Sequence, residues 1–197
     1  MTDMTVRLRL IRHGRSRAPE GVFVGSTDVE LEPGARKSLL RLRPVLDAHR
    51  GPVYVSPMRR TRQTLEELVS GRPAVQVLED DRIREIDFGR WEMCSFAEIV
   101  RRDPGLMADW SEYVDFVFPG GEAVADFTAR VGDFLAMVQS GPEREVVAIT
   151  HGGVIRTMIC LALGLPLRHY LLFDVQPGTM TELKLYSRGG ILTGLNL

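Results

Sequence analysis

The 197-residue chain has two cysteines, four histidines and almost no charge imbalance, with a formal net charge of −1. Each shortage excludes something. Cys94 and Cys160 lie in apolar or mixed surroundings with no metal-ligand spacing; a disulfide between them is not required, and a reducing cytoplasmic location is expected. The near-neutral balance argues against a general nucleic-acid binder or an anionic-membrane binder, both of which carry a basic excess, so any electrostatic function must be local. The first 17 residues hold no hydrophobic region of an export signal, and even the apolar residues 158–165 stop at Gly164 and Pro166, far short of a bilayer span. Repeats, low-complexity tracts and linkers are also lacking, which leaves a single domain over residues 1–197.

What is present is the ordinary composition of a globular domain, 44% hydrophobic and 26% charged, arranged as short apolar runs between helical patterns. Strands are expected at 6–11, 53–55, 75–78 and 146–150, the last being continuous and mostly β-branched, as in a strand covered on both faces. Helices are expected over 34–49, where Pro44 should kink or divide the pattern, over 58–69, with Ser56 as N-cap and Pro57 in the first turn, over 123–138, and through 155–163 to a stop at Gly164. Residues 181–186 and 191–195 read as a hairpin. Residues 95–118 read as helical in part, with Trp110, Tyr113, Phe116 and Phe118 as a packing cluster rather than a ligand platform. This alternation predicts an α/β fold.

Polar chemistry collects at the strand ends. Arg12-His13-Gly14 follows the first strand, where ligands of open α/β sheets sit, and offers a guanidinium fork, a nucleophile or acid-base group and a close backbone approach. Arg59, Arg60 and Arg62 open the helix after the second strand, where free N–H groups already favour an anion. Only one of the three is expected to serve a site, the others being ordinary surface charges. His151-Gly152-Gly153 repeats the arrangement after the fourth strand. Glu85 projects from a loop anchored by Ile83, Ile86, Phe88 and Trp91, as a catalytic carboxylate would. Residues 17–33 form a loop under which a substrate fits.

Six segments in this order, Leu10-Ile11-Arg12-His13-Gly14, Gly25-Ser26-Thr27-Asp28, residues 56–64, residues 84–92, Pro119-Gly120-Gly121-Glu122 and residues 150–156, resemble the histidine phosphatase superfamily, whose fold is phosphoglycerate-mutase-like. The resemblance implies a three-layer α/β/α domain with a mostly parallel central sheet. It implies His13 as the nucleophile that takes the phosphoryl group, Arg12 and Arg60 as phosphate ligands with Arg59 peripheral, His151 completing the phosphate pocket, and Glu85 as proton donor to the leaving oxygen. Gly14, Ser16, Gly25, Ser26 and Gly152 join these as expected substrate contacts. No metal and no cofactor are implied, and the partner is a small phosphate ester, with an oligomer compatible. Residues 164–167 and 173–175 are similar to α-ribazole phosphatases. Arg15, Ser16 and Met93 depart from the family pattern, which usually has Glu or Gln, Thr, and Gly there. Two other readings stand beside a phosphomonoesterase: a phosphoglycerate mutase, for which the chain lacks the long insertion before the Pro-Gly-Gly-Glu segment, and an inactive phospho-ligand binder.

Overall fold

The computed structural model describes residues 5–71, 75–105 and 115–197. Its centre is a six-stranded sheet in the order β3-β2-β4-β1-β5-β6. Strands β1 (Val6–Arg12), β2 (Val53–Val55), β3 (Val77–Glu79) and β4 (Glu145–Thr150) run parallel, while β5 (Met180–Leu185) and β6 (Gly190–Gly194) continue the sheet antiparallel.

Strand pleating divides the core in two. On β4, Val146 and Ala148 face one cluster with Leu8 and Leu10, whereas Val147 and Ile149 face another with Ile11, Val53 and Val55. The first face is covered by α5 (Val124–Ser140) and α6 (Gly152–Leu163), and the second by α1 (Ala35–Leu39), α2 (Arg43–Ala48) and α3 (Arg59–Val69). A parallel sheet buried on both faces needs such a run of apolar residues, and the three-layer α/β/α architecture follows. A further short helix, α4 (Phe96–Arg102), carries a capping box between Ser95 and Glu98.

Three expectations need adjustment. The helix over 34–49 is divided, as expected, but at a 3₁₀ turn, Leu40–Leu42, that separates α1 from α2, while Pro44 falls in the first turn of α2, where a missing N–H costs nothing. The helix after β2 begins at Arg59 with Met58, not Ser56, in the extended N-cap position. Ser56 is still bound into the sheet, its N–H donating to the Ile149 carbonyl at 3.0 Å, and its hydroxyl is engaged elsewhere. The third strand lies at Val77–Glu79 rather than 75–78, because the parallel register with β2 selects Val77, Leu78 and Glu79 as partners of Val53, Tyr54 and Val55. Trp110 and Tyr113 lie outside the described residues; Phe116 and Phe118 pack against buried Trp91, with ring centroids 5.4 and 5.6 Å away.

Candidate active site

The register of β1 on β4 pairs Arg12 with Thr150, so His13 and His151 leave neighbouring parallel strands at the same level. Their rings meet edge to face, 5.2 Å apart and inclined by 61°. Both are buried, and their partners differ. His13 Nδ1 lies 2.8 Å from the Gly14 carbonyl oxygen. A carbonyl only accepts, so Nδ1 carries the proton and the Nε2 lone pair is left available. His151 has both nitrogens engaged: Nδ1 accepts from Arg60 Nε at 3.2 Å, and Nε2 therefore donates to Ser56 Oγ at 2.7 Å. Burial and, after it, the Arg60 charge hold both imidazoles well below the usual histidine range, so both are neutral.

Arg60 is fully buried in the first turn of α3, while Arg59 faces outward and pairs with Glu30. The one-residue difference is a 100° rotation about the helix axis. Besides His151, the Arg60 guanidinium donates to the carbonyls of Gly25 (2.7 Å) and Thr27 (3.0 Å). Burial lowers its pKa. Arg12, at the end of β1, donates from Nη1 to the Val175 carbonyl at 2.5 Å, but its buried Nε has no partner. Burial and then the neighbouring Arg156 lower the Arg12 guanidinium to about 10. A buried, unpartnered N–H on a cation beside two more guanidinium groups is the electrostatic signature of an anion site.

Glu85 reaches the same place from the loop after β3. Its Oε2 accepts from the Gly153 N–H at 2.9 Å and its Oε1 from the Ile86 N–H at 3.2 Å. The free N–H groups of the α6 N-terminus thus seat this carboxylate. Gly153 allows the approach, since a Cβ there would collide with the Glu85 carboxylate, and one at Gly152 would press on Arg12 Cζ at 3.2 Å. The loop carrying Glu85 is clamped by Arg130 of α5, which donates to the carbonyls of Arg82, Arg84 and Glu85 and forms a two-pronged ion pair with Glu122.

The remaining expected contacts divide into two groups. Ser16 lies on the wall of a cavity of about 370 Å³ that also holds Arg12, His13 and Glu85, with Arg15 at its mouth ion-paired to Glu20. Gly152 lines an adjoining recess of about 340 Å³. Gly14, Gly25 and Ser26 instead spend their polar groups on the scaffold. The Gly14 N–H donates to Thr64 Oγ1, those of Gly25 and Ser26 donate to the Glu92 carboxylate, and Ser26 Oγ donates to Asp87 at 2.8 Å. Glu92 also accepts from the Thr27 N–H, the Thr27 hydroxyl and the Phe88 N–H. Sequence reasoning assigned no task to Glu92, Glu122 or Arg130. The first two lay within recognised segments, which was a signal, while Arg130 looks like any polar residue of an amphipathic helix.

Met93 has φ +60°, a conformation natural to glycine. Cys94 and Cys160 are free thiols. Among the described residues, no helix is long and apolar enough to cross a membrane, and no group of three or more His, Cys, Asp or Glu side chains is placed to hold a metal ion.

Comparison with known proteins bears on this geometry. The model of the histidine phosphatase superfamily (branch 1) matches residues 8–197. Phosphoserine phosphatase 1 of Hydrogenobacter thermophilus is 30% identical over 196 residues, covering 98% of this chain and 92% of its own length. Glucosyl-3-phosphoglycerate phosphatase of Mycobacterium tuberculosis is 31% identical over 176 residues, 83% of this chain and 78% of that protein. The crystal structure of the α-ribazole phosphatase from Shigella flexneri superposes with a TM-score of 0.86 over 98% of this chain and 96% of that one; at 24% identity it shows the shared fold.

Proposed function

The chain belongs to branch 1 of the histidine phosphatase superfamily, and on that footing we propose that it hydrolyses the phosphomonoester of a small metabolite through a phosphohistidine on His13, without a metal. The observation that carries this reading is the tautomer of His13. With Nδ1–H held by the Gly14 carbonyl and the ring kept neutral beside the Arg60 and Arg12 charges, the Nε2 lone pair is available at the cavity that His13 lines.

In the first step Nε2 attacks phosphorus, the P–O ester bond breaks, and the leaving oxygen takes the Glu85 proton. Arg12 and the remaining N–H groups of Arg60 stabilise the three equatorial oxygens. In the second step water attacks the phosphohistidine, Glu85 accepts its proton, and the P–N electron pair returns to Nε2 as inorganic phosphate leaves. His151 serves chiefly through others: its nitrogens fix the Arg60 fork and Ser56, and it contacts phosphate directly only if one of those bonds opens. The relatives differ in what their names say they act on: phosphoserine, glucosyl-3-phosphoglycerate and α-ribazole phosphate. The shared element is a phosphate on a small alcohol-bearing metabolite, and that is the class proposed here.

The test is hydrolysis of 4-nitrophenyl phosphate in EDTA by the protein and by its His13→Ala variant, with denaturing quench to detect acid-labile, alkali-stable phosphate on the chain. Turnover in EDTA and a labelled protein, both lost in the variant, are expected. Turnover that needs an added metal, or that survives without His13, overturns the proposal.

A further inference from the structure

The two adjoining hollows differ in which catalytic groups they share. The 370 Å³ cavity contains His13, Arg12 and Glu85; the 340 Å³ recess contains Arg12 and Glu85 but not His13. In an in-line displacement phosphorus lies between the attacking nitrogen and the departing oxygen, so the leaving group points away from His13 and past the group that protonates it. The hollow that shares Arg12 and Glu85 with the cavity but lacks His13 is the recess. Apolar walls come from Phe23, Phe88, Tyr170 and Leu171, and beside Arg12 the recess is lined by a second guanidinium fork, Arg156.

Arg156 is anchored but unpaired. Its Nε donates to the Phe173 carbonyl at 2.8 Å, which fixes the plane of the guanidinium and leaves both Nη groups free to donate. Among the described residues no carboxylate forms an ion pair with it, whereas Arg9, Arg62 and Arg130 each have one. It lies beside Arg12 across Gly152: a Cβ on that glycine would be 3.2 Å from Arg12 Cζ and 3.4 Å from Arg156 Nη1. Two neighbouring guanidinium groups disfavour each other until anions reach them.

We infer that Arg156 is a specificity-determining residue for the leaving group. The substrate is a phosphate monoester whose alcohol or phenol carries an apolar body, held by Phe23, Phe88 and Tyr170, and a carboxylate that accepts a bidentate pair of bonds from the Arg156 Nη groups. This rests on the phosphatase reading above and narrows it.

The experiment compares 3-carboxyphenyl phosphate with 3-carbamoylphenyl phosphate, nearly equal in shape and differing in charge, in the wild-type protein and in Arg156→Gln and Arg156→Lys. Wild type is expected to favour the carboxylate by at least about tenfold in kcat/KM, the low end of a charged hydrogen bond. That preference is expected to collapse to about threefold or less in Arg156→Gln and to survive in part in Arg156→Lys. A Leu171→Glu variant, at an exposed position on the rim that leaves the Phe173 anchor intact, is expected to reduce the preference by like-charge repulsion. No preference in wild type, an unchanged preference in Arg156→Gln, or an equal loss on both esters, which would place Arg156 on the phosphoryl group, each overturns the inference. Hydrolysis of 4-nitrophenyl phosphate separates the two levels: silence toward all three esters sinks the phosphatase reading itself, whereas turnover of the nitrophenyl ester alone sinks only the leaving-group assignment.

Discussion

The two sides of the site are built by different means. On one side His13 and His151 stand at the ends of paired strands, and their heights are set by backbone register. On the other, Glu85 rides a loop whose position depends on side chains: Arg130 holds its carbonyls, Glu122 holds Arg130, and Glu92 ties loop 25–27 to the same segment. Register placement is a property of the whole sheet and changes only if the fold changes. Clamp placement hangs on a few charged contacts, so the acid side is where a single substitution should shift chemistry without unfolding the protein.

The sheet side also holds two histidines that look alike in sequence and differ in role, and separating them gives the largest expected effect. Loss of His13 is expected to cost more than about 10⁴-fold in turnover, the scale of a missing nucleophile. His151→Asn, which disturbs the Arg60 fork, the Ser56 contact and the edge-to-face packing on His13, is expected to cost about 10²-fold, the scale of one stabilising donor. Steady-state kinetics on 4-nitrophenyl phosphate checks both, and equal losses would erase the distinction.

Arg130→Ala attacks the other side. With the carbonyls of residues 82–85 released, kcat should fall about 10- to 100-fold with KM little changed. The loss should be greater for an alkyl phosphate, which needs the Glu85 proton, than for a nitrophenyl ester, which does not. Arg130→Lys should recover only part, because an ammonium cannot reproduce the fork on Glu122. A loss independent of leaving group would mean that Arg130 supports the fold and not the acid.

The histidine side should also govern stability in mild acid. Both imidazoles are held below 6.5 in the native state, so between their native values and 6.5 the unfolded chain binds protons that the folded one does not. Stability is then complete above 6.5 and is lost as pH falls below it, by up to about 1.4 kcal/mol per pH unit for each histidine. Thermal melts from pH 7 to 5 should show a falling Tm, with a flatter profile for the His13→Asn, His151→Asn double variant.

The smallest effect belongs to the loop side. Met93 holds φ +60° while 38% exposed, so Met93→Gly relieves a strained conformation and sacrifices little packing. A gain of about 0.5–1 kcal/mol is expected, the difference between the left-handed penalty and the entropy of a glycine. A lowered Tm would show that the methionine side chain matters more than its backbone.

Much of this was legible beforehand. Residues 6–11 and 146–150 read as strands from alternation and from a continuous β-branched run, and the histidines after them were marked by position. The N-terminus of α3 was misplaced because Ser56-Pro57 has the form of a cap, while in the fold the Ser56 hydroxyl is claimed by His151 across 95 residues of chain. Gly25 and Ser26 are expected as substrate contacts only because the Gly25-Ser26-Thr27-Asp28 segment resembles the family's. The structure turns their N–H groups toward Glu92, a carboxylate 66 residues from Ser26.

The division follows from range. Local periodicity and turn chemistry determined the strands, the helices and the types of reactive group at their ends, since each depends on neighbours within a few residues. Only the tertiary structure decided which ring nitrogen of His13 is free, what the Arg60 guanidinium bonds to, and what holds Glu85 in place. Those outcomes are fixed by hydrogen bonds between residues far apart in sequence, and a hydrogen bond is satisfied by whatever partner the fold brings within about 3 Å.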